Sequence, residues 1–161
     1  MGDKRLYVAV GIPGSGKSYY FMSMNKYNHS YKRVSRDDIR FGIIKPDEKY
    51  FAHENVVYKE YIHQLQEAID DDSIEWVCAD ATHLTKRSRA HLFKNLDLTK
   101  VDSIFILWHD VPLETAIERN EFRVGLRKVP ESAIRNMAES LEPPTVDENP
   151  LIAAVIKINN E

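Results

Sequence analysis

Residues 6–18 read Leu-Tyr-Val-Ala-Val-Gly-Ile-Pro-Gly-Ser-Gly-Lys-Ser. An apolar run of five residues leads into a complete G-x-x-x-x-G-K-[ST] loop at positions 11–18. The run reads as a buried strand, and the segment after Ser18 as a helix. That order is what the loop needs. Its backbone N–H groups converge on an anion only when a strand delivers them and a helix N-terminus backs them. Gly11 and Pro13 open the turn, with Ser15 inside it, and Gly14 and Gly16 permit torsions and close phosphate approach that a Cβ would obstruct. Lys17 reaches the β- and γ-phosphates of a nucleotide, and Ser18 offers its hydroxyl to Mg²⁺. The loop implies nucleotide binding and leaves open what is done with the nucleotide.

Outward from the loop, apolar β-rich runs alternate with helical patterns. Strands are expected at 6–12, 32–35, 74–79, 101–109 and 151–158, the second of them weak. Helices are expected at 17–27, 36–42, 51–71, 86–95, 113–123 and 130–141. The runs at 74–79 and 101–109 are almost continuously apolar, as in parallel strands covered on both faces. In the long helix, Val57, Tyr61, Leu65 and Ala68 recur at three- and four-residue spacing and define a core-facing stripe. The alternation predicts an α/β fold: a mostly parallel sheet of four to five strands with helices on both faces. At 161 residues the whole chain, 1–161, is expected to form one domain.

A net charge of −3 gives no global signal for nucleic acid, so any polyanion site must be a local patch. The one cysteine, Cys78, excludes an internal disulfide and a cysteine-based metal cluster. Its neighbours Trp76 and Val77 suggest a buried strand thiol. No stretch is apolar enough to span a membrane, and no signal-peptide core follows the N-terminus, so a cytoplasmic location is expected.

In a parallel α/β sheet, ligands bind beyond the carboxyl ends of the strands. After the second strand come Ser35-Arg36-Asp37-Asp38-Ile39-Arg40; after the third, Asp80-Ala81-Thr82-His83. Phosphoryl transfer to a hydroxyl needs an aligned acceptor, Mg²⁺ and positive charge on the transferring group. Asp37 and Asp38 are candidate bases for the acceptor, one facing the site and the other capping the following helix. Arg40 lies one turn beyond Asp37, where it could hold an acceptor phosphate; the plainer reading is a capping aspartate and a surface arginine. Asp80 could support Mg²⁺ through water or pair with Arg40. Thr82 and His83 follow into the acceptor cleft. His83 lacks a second ligand at metal spacing.

Arg119 and Arg123 lie one turn apart before Gly125, and Arg127-Lys128-Val129-Pro130 leads into another helical pattern. A helix–break–helix carrying arginines reads as a lid over approximately 113–141, whose arginines neutralise transition-state charge. The alternative is a solvated basic face paired with Glu118 and Glu121.

Taken together, the loop, the Arg-Asp-Asp-x-Arg run at 36–40 with its leading Ser35, Asp80-Ala81-Thr82-His83, and Arg119-Asn120-Glu121-Phe122-Arg123 with Val129-Pro130 resemble the phage-type polynucleotide 5′-kinases and their P-loop kinase relatives. The likeness runs from residue 6 to about 140. It implies ATP as donor, Mg²⁺ as cofactor, a 5′-hydroxyl end of DNA or RNA as acceptor, and a place in nucleic acid repair. It implies that Asp37 is the general base, that Arg40 contacts the acceptor's phosphate, and that Asp80 supports the site. Arg123 becomes the lid arginine on the donor phosphates, with Arg119 accessory. The chain departs from the phage bifunctional enzymes in lacking the Asp-x-Asp-x-Thr motif of their 3′-phosphatase, so kinase activity alone is expected. His83 stands where relatives often have Asn.

Two other functions fit the same motifs. A kinase of a small metabolite or nucleoside suits the acidic charge and the short chain. A nucleotide-binding regulatory protein suits the loop by itself, although a switch needs no carboxylate base. No Asn-Lys-x-Asp run is present to read guanine. Oligomeric state leaves no trace in the sequence.

Overall fold

A computed structural model describes residues 3–25 and 30–159. Five strands, β1 (Arg5–Val10), β2 (Tyr31–Ser35), β3 (Trp76–Asp80), β4 (Ser103–His109) and β5 (Ile152–Ile158), form one sheet in the order β2-β3-β1-β4-β5. Every pairing is parallel. Among the described residues, six helices connect or cover them: α1 (Lys17–Met24), α2 (Arg36–Ile43), α3 (Glu54–Asp70), α4 (Lys86–Lys94), α5 (Leu113–Glu121) and α6 (Glu131–Ser140). Single 3₁₀ turns occupy Gly125–Arg127 and Val146–Glu148.

The alternation of β1 divides the core in two. Leu6, Val8 and Val10 point to one face, where they meet Tyr61, Leu65 and Ile69 of α3 and Leu92 and Phe93 of α4. Tyr7 and Ala9 point to the other, where they meet Phe21 of α1 with Cys78 and Leu107. Successive side chains of a strand face opposite sides, so a run apolar at every position must be covered twice. The expected helical stripe of Val57, Tyr61, Leu65 and Ala68 is buried throughout. Cys78 is fully buried, and desolvation raises its thiol well above the ordinary range. A third cluster, Ile12, Val111, Ala116, Ile117, Val129 and Ile134, packs α5 and α6 over the strand ends.

Element boundaries shift where side-chain chemistry overrides pattern. The long helix begins at Glu54 instead of residue 51, because Tyr50 and Phe51 leave the helical path and stack edge-on against each other. Helix α1 is described to Met24 with Asn25 as its cap; positions 26 and 27, included in the expected helix, lie outside the described residues. Strand β3 starts two residues late, since the Glu75 and Trp76 N–H groups both donate to the Ser30 carbonyl and only then does the ladder begin. Neither Asp37 nor Asp38 caps α2. Ser35 does, its hydroxyl accepting from the Asp38 N–H at 3.1 Å. Both aspartates are therefore free to make side-chain contacts beyond strand β2.

Arg89 of α4 is 0% exposed. It donates to Glu148 Oε1 at 2.7 Å, the Glu142 carbonyl at 2.9 Å and the His83 carbonyl at 2.7 Å. This one side chain ties the loop after β3, helix α4 and the segment after α6 together. Removing one partner of such a buried pair typically costs about 3–5 kcal/mol.

Candidate active site

The phosphate loop joins β1 to α1 with Gly14 at φ +84° and Gly16 at φ +93°. A Cβ on Gly14 would collide with the carbonyl oxygen of Ala116 in α5, so this glycine answers to both torsion and space. Lys17 is nearly buried. Its ammonium donates to the Ile12 carbonyl at 2.8 Å and the Gly11 carbonyl at 3.1 Å. Desolvation lowers its pKa to about 8, opposed by Asp80 and Asp37 nearby. The carbonyls hold the cation in place without neutralising it, which readies the loop for a phosphate.

The parallel register sets Ser35 opposite Asp80, so the ends of β2 and β3 deliver their motifs side by side. Asp80 is 4% exposed. Its Oδ2 accepts from Ser18 Oγ at 2.8 Å and from Arg33 Nε at 2.8 Å. Arg33 also donates to Ser18 Oγ at 3.1 Å and Asp38 Oδ2 at 3.3 Å. The partner of Asp80 is thus Arg33, and the alternative of an Asp80–Arg40 pair is set aside. Ser18 and Asp80 present hard oxygen donors, a set that suits Mg²⁺, which keeps waters and takes phosphate oxygens as further ligands.

Arg40 is 5% exposed and heavily committed. Its guanidinium grips Glu54 in a two-pronged pair at 2.8 and 2.6 Å and bonds to Asp37 Oδ1. The rings of Tyr50 and Phe51 lie 4.7 and 5.4 Å from it. Tyr50 also donates its hydroxyl to Asp37 Oδ1 at 3.2 Å, and burial pushes that phenol up to about 12. Arg40 thereby orients Asp37, while its charge is largely balanced by two carboxylates.

Asp37, Lys17, Ser18, Arg40, Asp80, Thr82, Arg119 and Arg123 all line one cavity of about 290 Å³. Tyr50, Phe51, Arg36 and Glu54 line the same cavity. His83 does not join them. Its ring is buried against Tyr61, with Nδ1 2.6 Å from the Ala9 carbonyl and Nε2 3.1 Å from the Tyr61 hydroxyl. A carbonyl can only accept, so Nδ1 carries the proton and Nε2 receives the phenol. Burial lowers the pKa to about 3. The expectation of an acceptor contact at His83 is corrected: both nitrogens are spent holding β1 to α3, at a backbone φ of +41°. The Thr82 carbonyl accepts from the Gly11 N–H at 3.0 Å, bracing the loop from the same side.

Over the cavity, α5 and α6 flank the turn at Gly125, which has φ +61°. Arg119 Nη1 lies 3.3 Å from the Gly14 carbonyl, and Arg123 Nη1 lies 3.5 Å from the Arg127 carbonyl. Arg127 pairs with Asp38 at 3.2 Å and sits over the Phe41 ring, while Lys128 pairs with Glu121 at 2.9 Å. Asn120 is fully buried and clasps Val129 twice, donating to its carbonyl at 2.7 Å and accepting from its N–H at 3.0 Å. The asparagine of the Arg-Asn-x-x-Arg run closes the turn that carries the arginines.

Sequence reasoning missed Arg33, Tyr50, Glu54 and the clasp by Asn120. Arg33 falls in the weak second strand and Glu54 in the long helix, and neither stands out there by its sequence pattern. Only Asn120 left a signal, as a polar residue beside Ala116 and Ile117 on an apolar helix face.

Comparisons with known proteins follow the same lines. Residues 6–144 match the profile of a family described as AAA domain. No curated protein matches the sequence. Among solved structures, a fungal RNA kinase has a TM-score of 0.65 at 16% identity, over 98% of this chain and 75% of that one. A chain of the Pnkp1/Rnl/Hen1 RNA repair complex has a TM-score of 0.69 at 23% identity, over 88% of this chain. The match spans 45% of that repair protein's length. A gluconokinase from Sinorhizobium meliloti 1021 has a TM-score of 0.61 at 17% identity, over 99% of this chain and 84% of that one. At these identities the likeness is one of fold, the P-loop kinase fold.

Proposed function

The chain belongs to the AAA domain family, and on that footing we propose that it is an ATP-dependent polynucleotide 5′-hydroxyl kinase. The observation that carries this reading is the position of Asp37. Its carboxylate shares one cavity with Lys17, Ser18 and Arg123 and is oriented by Arg40 and Tyr50. A nucleotide-binding switch has no use for an oriented carboxylate at that point. A kinase uses it to align the acceptor.

The loop holds the β- and γ-phosphates, and Lys17 gains full charge as they replace its carbonyl partners. Mg²⁺ held by Ser18 with Asp80 would offset the charge gathering on the phosphate oxygens. Asp37 takes the proton of the acceptor hydroxyl as that oxygen bonds to the γ-phosphorus. The bond from phosphorus to the β–γ bridging oxygen breaks, and ADP leaves with the bond pair. Arg123, with Arg119 behind it, balances charge on the leaving phosphates from the lid. Tyr50 and Phe51 lie on the acceptor side with Phe51 43% exposed, and aromatic faces there favour an acceptor that carries a base. The resemblance to phage-type kinases supports the same acceptor.

A second reading, a kinase of a small metabolite, is favoured by the modest cavity and by the charge already balanced at Arg40. The fold shared with a gluconokinase fits it equally well. Incubation with labelled ATP, Mg²⁺ and either a 5′-hydroxyl oligonucleotide or a panel of sugars and nucleosides separates the two. Label at the oligonucleotide 5′ end is expected. Label entering only a sugar or a free nucleoside would transfer the assignment to the second reading.

A further inference from the structure

The active-site cavity does not end at Glu54. Arg36, Glu54 and Thr82 line it and also line a second groove of about 600 Å³, which runs between α3 and α4. Inside this groove the Arg36 guanidinium lies 5.2 Å from the Tyr58 ring. The Tyr58 ring in turn stacks on His91 at 5.3 Å with a 22° tilt. The cation and two rings form a ladder that starts at the acceptor side of the catalytic cavity. Along α4, Arg87, His91 and Lys94 recur at four- and three-residue spacing and line the continuation of the groove. Lys59 of α3 stands on the opposite wall.

The charge of this track runs against that of the whole chain, whose net charge is −3. Lys59, Arg87 and Lys94 make no ion pair among the described residues. The carboxylate at the mouth, Glu54, is already held by Arg40 and Arg36. Open cations beside a stacked aromatic shelf are the features that bind single-stranded nucleic acid without reading its sequence.

We propose that the α3–α4 groove is the track for the single strand whose 5′-hydroxyl enters the catalytic cavity, with bases on the Tyr58–His91 shelf and phosphates on Lys59, Arg87 and Lys94. This rests on the polynucleotide reading and deepens it: the enzyme holds the strand beyond its terminal nucleoside.

The test is binding of a fluorescein-labelled single-stranded decanucleotide, as RNA and as DNA, followed by anisotropy with ADP present. The triple variant Lys59→Glu/Arg87→Glu/Lys94→Glu is expected to bind at least about tenfold more weakly, with the slope of log affinity against log salt reduced by about 2. His91→Ala, a separate and milder change, is expected to weaken binding about fivefold. Affinity for ADP should stay unchanged in both. Undiminished binding by both variants, or no binding by the unaltered protein, overturns the track. Phosphorylation of a nucleoside 3′-monophosphate, too short to enter the groove, judges the kinase reading separately. Transfer to it with decamer binding unaffected by the substitutions leaves the kinase and removes the track. No transfer, with decamer binding lost in the variants, leaves the track and removes the kinase.

Discussion

Arg33 Nε lies 2.8 Å from Asp80 Oδ2, and the same guanidinium reaches Ser18 Oγ. A fixed side-chain cation thus sits against the two oxygens proposed to receive Mg²⁺. Arg33→Gln leaves Asp80 buried with one partner fewer. The expected loss of stability is about 2–3 kcal/mol, below the figure for a fully buried pair because Arg33 is partly exposed. Mg²⁺ with ADP should then raise the melting temperature more in the variant than in the unaltered protein. Equal shifts in the two would mean that Arg33 and the metal do not share these oxygens.

Asp37→Asn keeps the size of the side chain and its acceptance from Tyr50, and removes the proposed base. Transfer to a 5′-hydroxyl should fall by about 10²–10⁴. Nucleotide affinity, measured by calorimetry, should change less than about threefold, since the phosphate loop is untouched. A rate within threefold of the original would remove Asp37 from the proton transfer.

Gly14→Ala places a methyl group against the Ala116 carbonyl at a φ of +84°. Left-handed torsion and the clash together should destabilise by at least about 2 kcal/mol in chemical denaturation. Because α5 must move to make room, ATP affinity should drop as well. Gly42, with open space where a Cβ would stand, is the matched control.

Asn120→Ala strands the Val129 N–H and carbonyl inside the protein. Each unsatisfied buried group costs about 1–3 kcal/mol. The expected signature is local: faster amide exchange at Val129 and a loosened turn at 125–127, ahead of any global loss. Exchange at Val129 that stays as slow as before would show the clasp to be dispensable.

Acid should unfold the protein early. Burial holds His83 at about 3 and His109 at about 4, both below the unfolded value of 6.5. The unfolded chain therefore takes up protons that the folded one refuses. Stability falls as pH drops from 6.5 toward the folded values, by about 2 kcal/mol per histidine at pH 5. His83→Asn, which retains a donor for the Ala9 carbonyl, should flatten melting temperature against pH between 7 and 5. An unchanged slope would acquit His83.

Much of the fold was legible because strand and helix periods are local. Uninterrupted apolar runs announced parallel strands covered on both faces, and the stripe from Val57 to Ala68 announced which side of α3 is buried. The legible part of the site was its backbone chemistry, since a phosphate loop depends on glycine torsions and a short fixed spacing. His83 was misread because sequence shows that a polar residue follows a strand, and says nothing of the way its ring turns. Arg33 and Glu54 were passed over because an exposed-looking charge in one element acquires its meaning from a partner 47 or 14 residues away.

The sequence by itself determined a parallel α/β chain with a phosphate loop, and the set of polar residues carried to the strand ends. Periodicity and turn chemistry act over a few residues, and both can be read in one dimension. Only the tertiary structure decided which cation meets which carboxylate. Arg40 goes to Glu54 and Asp37, and Arg33 goes to Asp80 and Ser18. Ion pairing and burial depend on distances set by sheet order and register, and those emerge only when Ser35 comes to lie opposite Asp80.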